Sequence, residues 1–211
     1  MRIGTKSILF GAHCFLLHPW FVAAAWCKIY GFPWDPRLWV AFFVHDLGYI
    51  GKPNMDGPEG ERHVELGARI MTLMFDRKPK SYLDQLIVWE VPDATSKKFW
   101  FCGRWGRLCL LHSRFWAKKL STRPSKLCVA DKLAIALTPG WLYLPMATAT
   151  GEIREYMKLA KAGEQGKYEH MKFSTDSAKK WYSDAQDYLR RWAYEHKDGR
   201  ADTWTTKLKR A

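Results

Sequence analysis

The sequence predicts an all-α fold. Apolar residues recur at helical rather than alternating spacing, helix-start signals repeat along the chain, and no segment reads as a convincing strand. The clearest start is Asp35-Pro36, an N-cap acid followed by proline at the first helical position, leading into LWVAFFVHDLG. Its apolar residues are almost continuous, so this helix is expected to be central and buried, ending near Gly48 and Gly51.

Ahead of it, residues 7–27 carry no Lys, Arg, Asp or Glu, a pattern shared with signal peptides and membrane spans. His13, His18 and Pro19 interrupt the stretch, which reads instead as a buried amphipathic helix pair. A further helix is expected from Pro58 through ERHVELGARIMTLMF. Others are expected over 81–89, 105–120, and from Pro124-Ser125 through KLCVADKLAIAL to Pro139. Beyond residue 145 the composition turns polar, and two more helices follow over 152–162 and 176–196. In the last, Trp181, Ala185, Tyr188, Leu189 and Trp192 form one apolar stripe. This divides the chain into a core of residues 1–150 and a helical extension, 151–211, packed on it.

The 211 residues suffice for a sizeable core, and 47% of them are hydrophobic, which excludes a disordered chain. The five cysteines are odd in number and none lies at CxxC spacing. That argues against a thiolate zinc site or a disulfide scaffold and favours a reducing cytoplasm. Net charge is +13, of which residues 94–126 supply nine bases and no acid, interleaved with Phe and Trp. Such a segment attracts phosphate in a nucleotide, a nucleic acid or a headgroup, unless it is simply a solvated face over core aromatics.

Chemistry is concentrated in His and Asp residues on segments expected to be buried. His13, His45, His63 and His112 fall on separate expected helices; Asp46 follows His45 directly, and Asp131 sits among Val129, Ala130 and Leu133. One buried acid is usually a satisfied core group. Several buried acids and histidines together call for pairing or a metal. Helix-borne ligands from several helices are how bundles build such sites.

The order His13, His45-Asp46, His63, His112, Asp131 resembles the H…HD…H…H…D pattern of HD-superfamily phosphohydrolases. HDLG, RHVELGARIM and CVADKLA resemble the family's local segments. The likeness covers about residues 11–136 and is greatest to the two-metal branch, such as diadenosine tetraphosphate hydrolases and HD-GYP phosphodiesterases. It implies an HD-domain helical bundle with His13, His45, Asp46 and Asp131 as core metal ligands. His63 and His112 would hold a second ion, with Asp46 bridging, and Asp46 and His63 stand at the reacting centre. The expected cofactor is one or two divalent ions, Fe, Mn or Ni, with Zn or Mg as alternatives. The expected reaction is hydrolysis of a phosphoester or phosphoanhydride in a nucleotide by metal-activated water.

Lys52, Arg104, Arg107 and Arg114 are the candidate phosphate contacts, and Asp56 and Glu59 are loop acids near the site. Three departures stand out: Tyr49 replaces the usual Lys or His after HD, the GYP residues are absent, and the His63–His112 gap is long. Alternatives are a cyclic-nucleotide or oligonucleotide phosphodiesterase, or a non-catalytic nucleic-acid binder on the same scaffold. The partner expected is a nucleotide or other phosphorylated small molecule, with nucleic acid possible and no membrane; oligomeric state is open.

Overall fold

A computed structural model describes residues 1–76, 102–161 and 173–204. The described residues form ten α-helices and no strand: α1 (Ile3–Phe10), α2 (His18–Tyr30), α3 (Pro36–Val44), α4 (Val64–Phe75), α5 (Arg104–Leu110), α6 (Arg114–Lys119), α7 (Lys126–Leu137), α8 (Gly140–Thr150), α9 (Glu152–Lys161) and α10 (Ala178–His196). The all-α expectation holds. The helix expected over 81–89 and the front of the basic segment, with Lys97 and Lys98, lie outside the described residues, as does His170.

α7 is the axis of the fold. Leu127, Cys128, Val129, Ala130, Asp131, Leu133, Ala134 and Ala136 are all buried, so the helix is enclosed on every side. It packs against α2, α5 and α10, and the shared core draws Val22 and Trp26 from α2, Met71 from α4, Leu110 from α5 and Trp192 from α10. A second apolar cluster joins α8, α9 and the first half of α10 through Tyr143, Ile153, Trp181 and Tyr182. α10 therefore contributes to both cores.

Local signals set most boundaries. Asp35 caps α3 by accepting from the Arg37 amide (3.0 Å), and Ser125 caps α7 by accepting from Cys128 (3.2 Å). Two elements depart from expectation. The helix expected over 105–120 is broken into α5 and α6, because Ser113 accepts from the Trp116 amide and starts a new helix. Conversely, α8 forms with Pro145 in its interior, where no helix is expected from local signals. Tyr143, Ala147 and Thr150 bury one face of α8, which packs against α1 and α10, and this packing outweighs the proline.

Among the described residues no single helix is long and apolar enough to cross a membrane; α7 and α8 are apolar together but meet at 101°. The expected N-terminal helix pair forms, yet only one side of it is buried. Val22, Ala25 and Trp26 enter the core, whereas Phe10, Leu16 and Trp20 face outward.

Arg114 is a structural clamp. Its Nε and Nη2 donate to Asp202 (2.8 and 3.2 Å), Nη1 donates to the Tyr188 hydroxyl (2.8 Å), and the guanidinium lies 4.6 Å from the Trp192 ring. Trp192 Nε1 and the Trp204 amide also donate to Asp202 (3.1 and 3.0 Å). Burial opposes ionisation of Asp202, but the Arg114 guanidinium overcomes it and holds the carboxyl below its usual 3.8. A carboxylate with a depressed folded-state pKa adds stability above its unfolded value, and that stability is lost as pH falls through the folded one. Arg114→Ala is therefore expected to destabilise the fold by about 3–5 kcal/mol in denaturant titration at neutral pH. Below about pH 4 the wild-type advantage over Asp202→Asn should shrink.

Candidate metal centre

Six buried side chains converge between α2, α3, α4, α7 and the α5–α6 break. His18, His45, Asp46 and Asp131 form one group, and Asp46, His63 and His112 a second; within each group the candidate ligand atoms all lie within 4.8 Å of one another. Asp46 belongs to both. Its Oδ2 lies 3.1 Å from His45 Nε2 and 3.4 Å from His18 Nε2, while Oδ1 lies 3.2 Å from His112 Nε2 and 3.7 Å from His63 Nε2. His18 Nε2 is also 2.9 Å from Asp131 Oδ1.

The histidines sit mostly at helix ends. His45 is the C-cap of α3, His63 closes a 3-10 turn and precedes α4, and His112 occupies the α5–α6 break. Helix ends leave carbonyls without intrahelical partners. Each ring uses the carbonyl three residues back: His45 Nδ1 faces Phe42 O at 2.9 Å, His63 Nδ1 faces Gly60 O at 2.7 Å, and His112 Nδ1 faces Cys109 O. A carbonyl can only accept, so Nδ1 carries the hydrogen and each ring turns its Nε2 toward the centre.

Two close backbone approaches bring these ends together. A Cβ on Gly67 would lie 2.6 Å from Val44 O and 2.9 Å from His45 Cα, so α4 passes directly over the His45 segment. A Cβ on Gly48 would collide with the His63 carbonyl. Both are satisfied only by glycine.

The electrostatics of the cluster are those of a cation site. Burial would raise both carboxyls, yet His45 and His112 hold Asp46 well below the usual range. Lys132, His18 and His45 do the same for Asp131. Burial lowers His18. Burial also opposes charge on His45, but Asp46 and Asp131 push it up to about 10. Burial and the neighbouring His112 put His63 well below its ordinary value, so it stays neutral. His63 Nε2 and His112 Nε2 face each other at 3.0 Å. Buried His45 Nε2 and Asp46 Oδ2 have no hydrogen-bond partner although each lies beside the other. Buried imidazoles and carboxylates at this spacing, with an orphaned carboxylate oxygen among them, fit a divalent cation.

The expected residues fall as follows. His45, Asp46, His63, His112 and Asp131 come together; His13 does not join either group, and His18 takes the first position instead. His13 lies in the turn before α2, its Nδ1 3.0 Å from Ser7 Oγ and 3.4 Å from Glu152 Oε2. There burial lowers its pKa but Glu152 and the nearby acids raise it overall. His18 is the first residue of α2, with Leu17 as N-cap and no capping side chain, and Pro19 after it is the one local signal in the sequence for a helix start there.

A cleft opens beside the second group. His63, His112, Lys132 and Asp56 line it, together with the aromatic side chains of Tyr143, Trp181, Tyr182 and Tyr188. Of the four expected phosphate contacts only Arg114 borders this cleft, where it is committed to Asp202 and Tyr188. Arg104 and Arg107 are exposed on α5, with Arg104 stacked near Trp105, and Lys52 lies on the loop beside α1. Trp105 and Trp116 are buried, so in the described part of the basic segment the aromatics serve the core. Glu59 is exposed and accepts from Asn54. Sequence reasoning passed over Lys132, whose Nζ is 2.9 Å from Asp131 Oδ2 and whose stem reaches the cleft.

No protein-family model, curated protein or solved structure matches this chain. Fold and site together define an all-α protein with a buried His/Asp centre able to hold a metal ion.

Gly67→Ala tests the geometry. Its methyl would meet backbone, which cannot swing aside, so the expected cost is about 1–3 kcal/mol. The thermal midpoint should fall and metal content with it, whereas Gly140→Ala, whose Cβ would meet only Tyr182 at an ordinary 3.7 Å, should leave the metal content unchanged.

Proposed function

We propose that this protein is a metal-dependent phosphohydrolase of the HD superfamily, acting on a phosphoester or phosphoanhydride of a nucleotide. The observation that carries the reading is the convergence of the His63 and His112 Nε2 atoms, 3.0 Å apart, on Asp46, whose Oδ2 has no hydrogen-bond partner and faces the His18–His45 group. His18, His45, Asp46 and Asp131 would hold one ion and Asp46, His63 and His112 a second. A divalent ion there acidifies water and screens the phosphoryl oxygens.

The chain's own residues provide the rest. Asp46 fixes the two groups relative to each other through its two oxygens. Lys132, which lines the cleft, pairs through Nζ with Asp131 (2.9 Å) and has further ammonium donors to offer a phosphoryl oxygen. The aromatic wall formed by α8 and α10 excludes water and offers flat apolar surface to the leaving group. The ordered resemblance to HD enzymes, with His18 now in the first place, supports the same reading.

Metal analysis of protein purified without chelator, together with phosphate release from a nucleotide panel, tests it. Wild type is expected to carry a divalent transition metal and to release phosphate; chelation should stop release and added Mn or Fe restore it. Asp46→Asn should lower the rate by more than roughly a hundredfold, because loss of mere outer-sphere partners already costs up to that much. Metal-free wild type with no turnover would overturn the proposal.

A further inference from the structure

The α1–α2 turn carries a surface the hydrolase reading does not use. Leu9, Phe10, Phe15, Leu16, Leu17 and Trp20 all point outward, with Phe10 63%, Leu16 71% and Trp20 57% exposed. The patch continues across α3. Phe15 meets Phe43 edge-on (ring centroids 5.5 Å), Trp20 meets both Phe43 (5.8 Å) and Trp39 (5.9 Å), and Phe32 links Trp39 (6.3 Å) to Trp34 (4.6 Å). Single exposed apolar side chains are ordinary; a connected aromatic surface of this extent marks a place where something docks.

Charge selects the occupant. The chain contains no acid before Asp35, and its charged side chains up to that point are Arg2, Lys6 and Lys28. Asp35 is itself neutralised by Arg37, their closest atoms 2.7 Å apart. Lys6 lies one helical turn from Phe10 on α1, and exposed Lys28 continues the outward stripe of Trp20 and Ala24 on α2. The protein's net charge is +13, so a second copy would bring like charge to the same face, whereas an anionic bilayer brings the opposite. Trp and Phe are also the side chains that settle at the boundary between headgroups and acyl chains.

The turn's backbone is suited to that environment. Internal hydrogen bonds hold most of the turn's backbone amides while Phe15, Leu16 and Leu17 face outward. The amides of Gly11, Cys14, Phe15, Leu17 and His18 bond to Ser7, Gly11, Ile8, Cys14 and Cys14 carbonyls at 2.8–3.0 Å, and that of Ala12 to Glu152 Oε1 at 3.1 Å. The turn can thus present its side chains to a bilayer without unfolding.

We infer that the α1–α2 turn and the adjoining face of α3 form a peripheral docking surface for an anionic phospholipid bilayer. The inference is independent of the metal centre. It is tested by co-sedimentation of the full chain with phosphatidylcholine vesicles containing phosphatidylserine, against phosphatidylcholine alone. Wild type should sediment with the anionic vesicles, and added salt should weaken this. Phe10→Ser with Leu16→Ser, both at exposed positions, should reduce partitioning at least about tenfold with far-UV circular dichroism and thermal midpoint unchanged. Equal sedimentation with both vesicle types, or binding indifferent to the substitutions, would overturn it. So would a dimer, seen by light scattering and broken by the same substitutions, in a protein that ignores vesicles; the patch would then belong to a second copy.

Discussion

The buried carboxylate of Asp46 is the constraint on which the site depends. An ionised carboxylate excluded from water must be offset by nearby positive charge or by donors to its oxygens. Here its two oxygens face different groups, His18 and His45 on one side and His63 and His112 on the other. The Nδ1 atoms of the latter two rings face backbone carbonyls, which turns their Nε2 atoms toward Asp46 and toward each other. The two groups have the ligand types and spacing to hold a metal ion, and the rigidity of the surrounding helices keeps them facing one another.

That rigidity has two sources. α7 carries Asp131 through the middle of the core, so the carboxylate is fixed by packing on all sides of its helix. The histidines, by contrast, are held at chain breaks. At the end of α3, the turn before α4 and the interruption between α5 and α6, each ring bonds the backbone carbonyl three residues back. Gly67 then lets α4 lie directly against the His45 segment, which closes the distance between the two groups. Ordinary helix-end chemistry is thereby turned into ligand orientation.

The C-terminal helices shape what lies beyond the centre. Tyr143 stacks on Tyr182 (4.1 Å, 10°) and Tyr156 on Trp181 (5.4 Å, 2°), making a stiff aromatic wall opposite the His63–His112 pair. The clamp of Arg114 on Asp202 ties α6 to the segment after α10, so the wall is anchored from both ends of the fold. An arginine that sequence reasoning assigned to phosphate is used instead to hold the cleft's frame. The cation that reaches the cleft is Lys132, carried there by the same helix as Asp131.

The sequence by itself determined the helical class, most helix starts, and five of the six side chains that meet at the centre, because caps, prolines and apolar period are local properties and buried acids are rare enough to notice. It could not decide between His13 and His18, since that choice depends on where α2 begins and which way its first residue points. Nor could it foresee α8 with its internal proline, the break that turns His112 inward, or the retirement of Arg114 into an ion pair with a residue far along the chain. These were settled by tertiary packing, in which contacts between distant segments outweigh local propensity, and no spacing along the chain encodes such contacts.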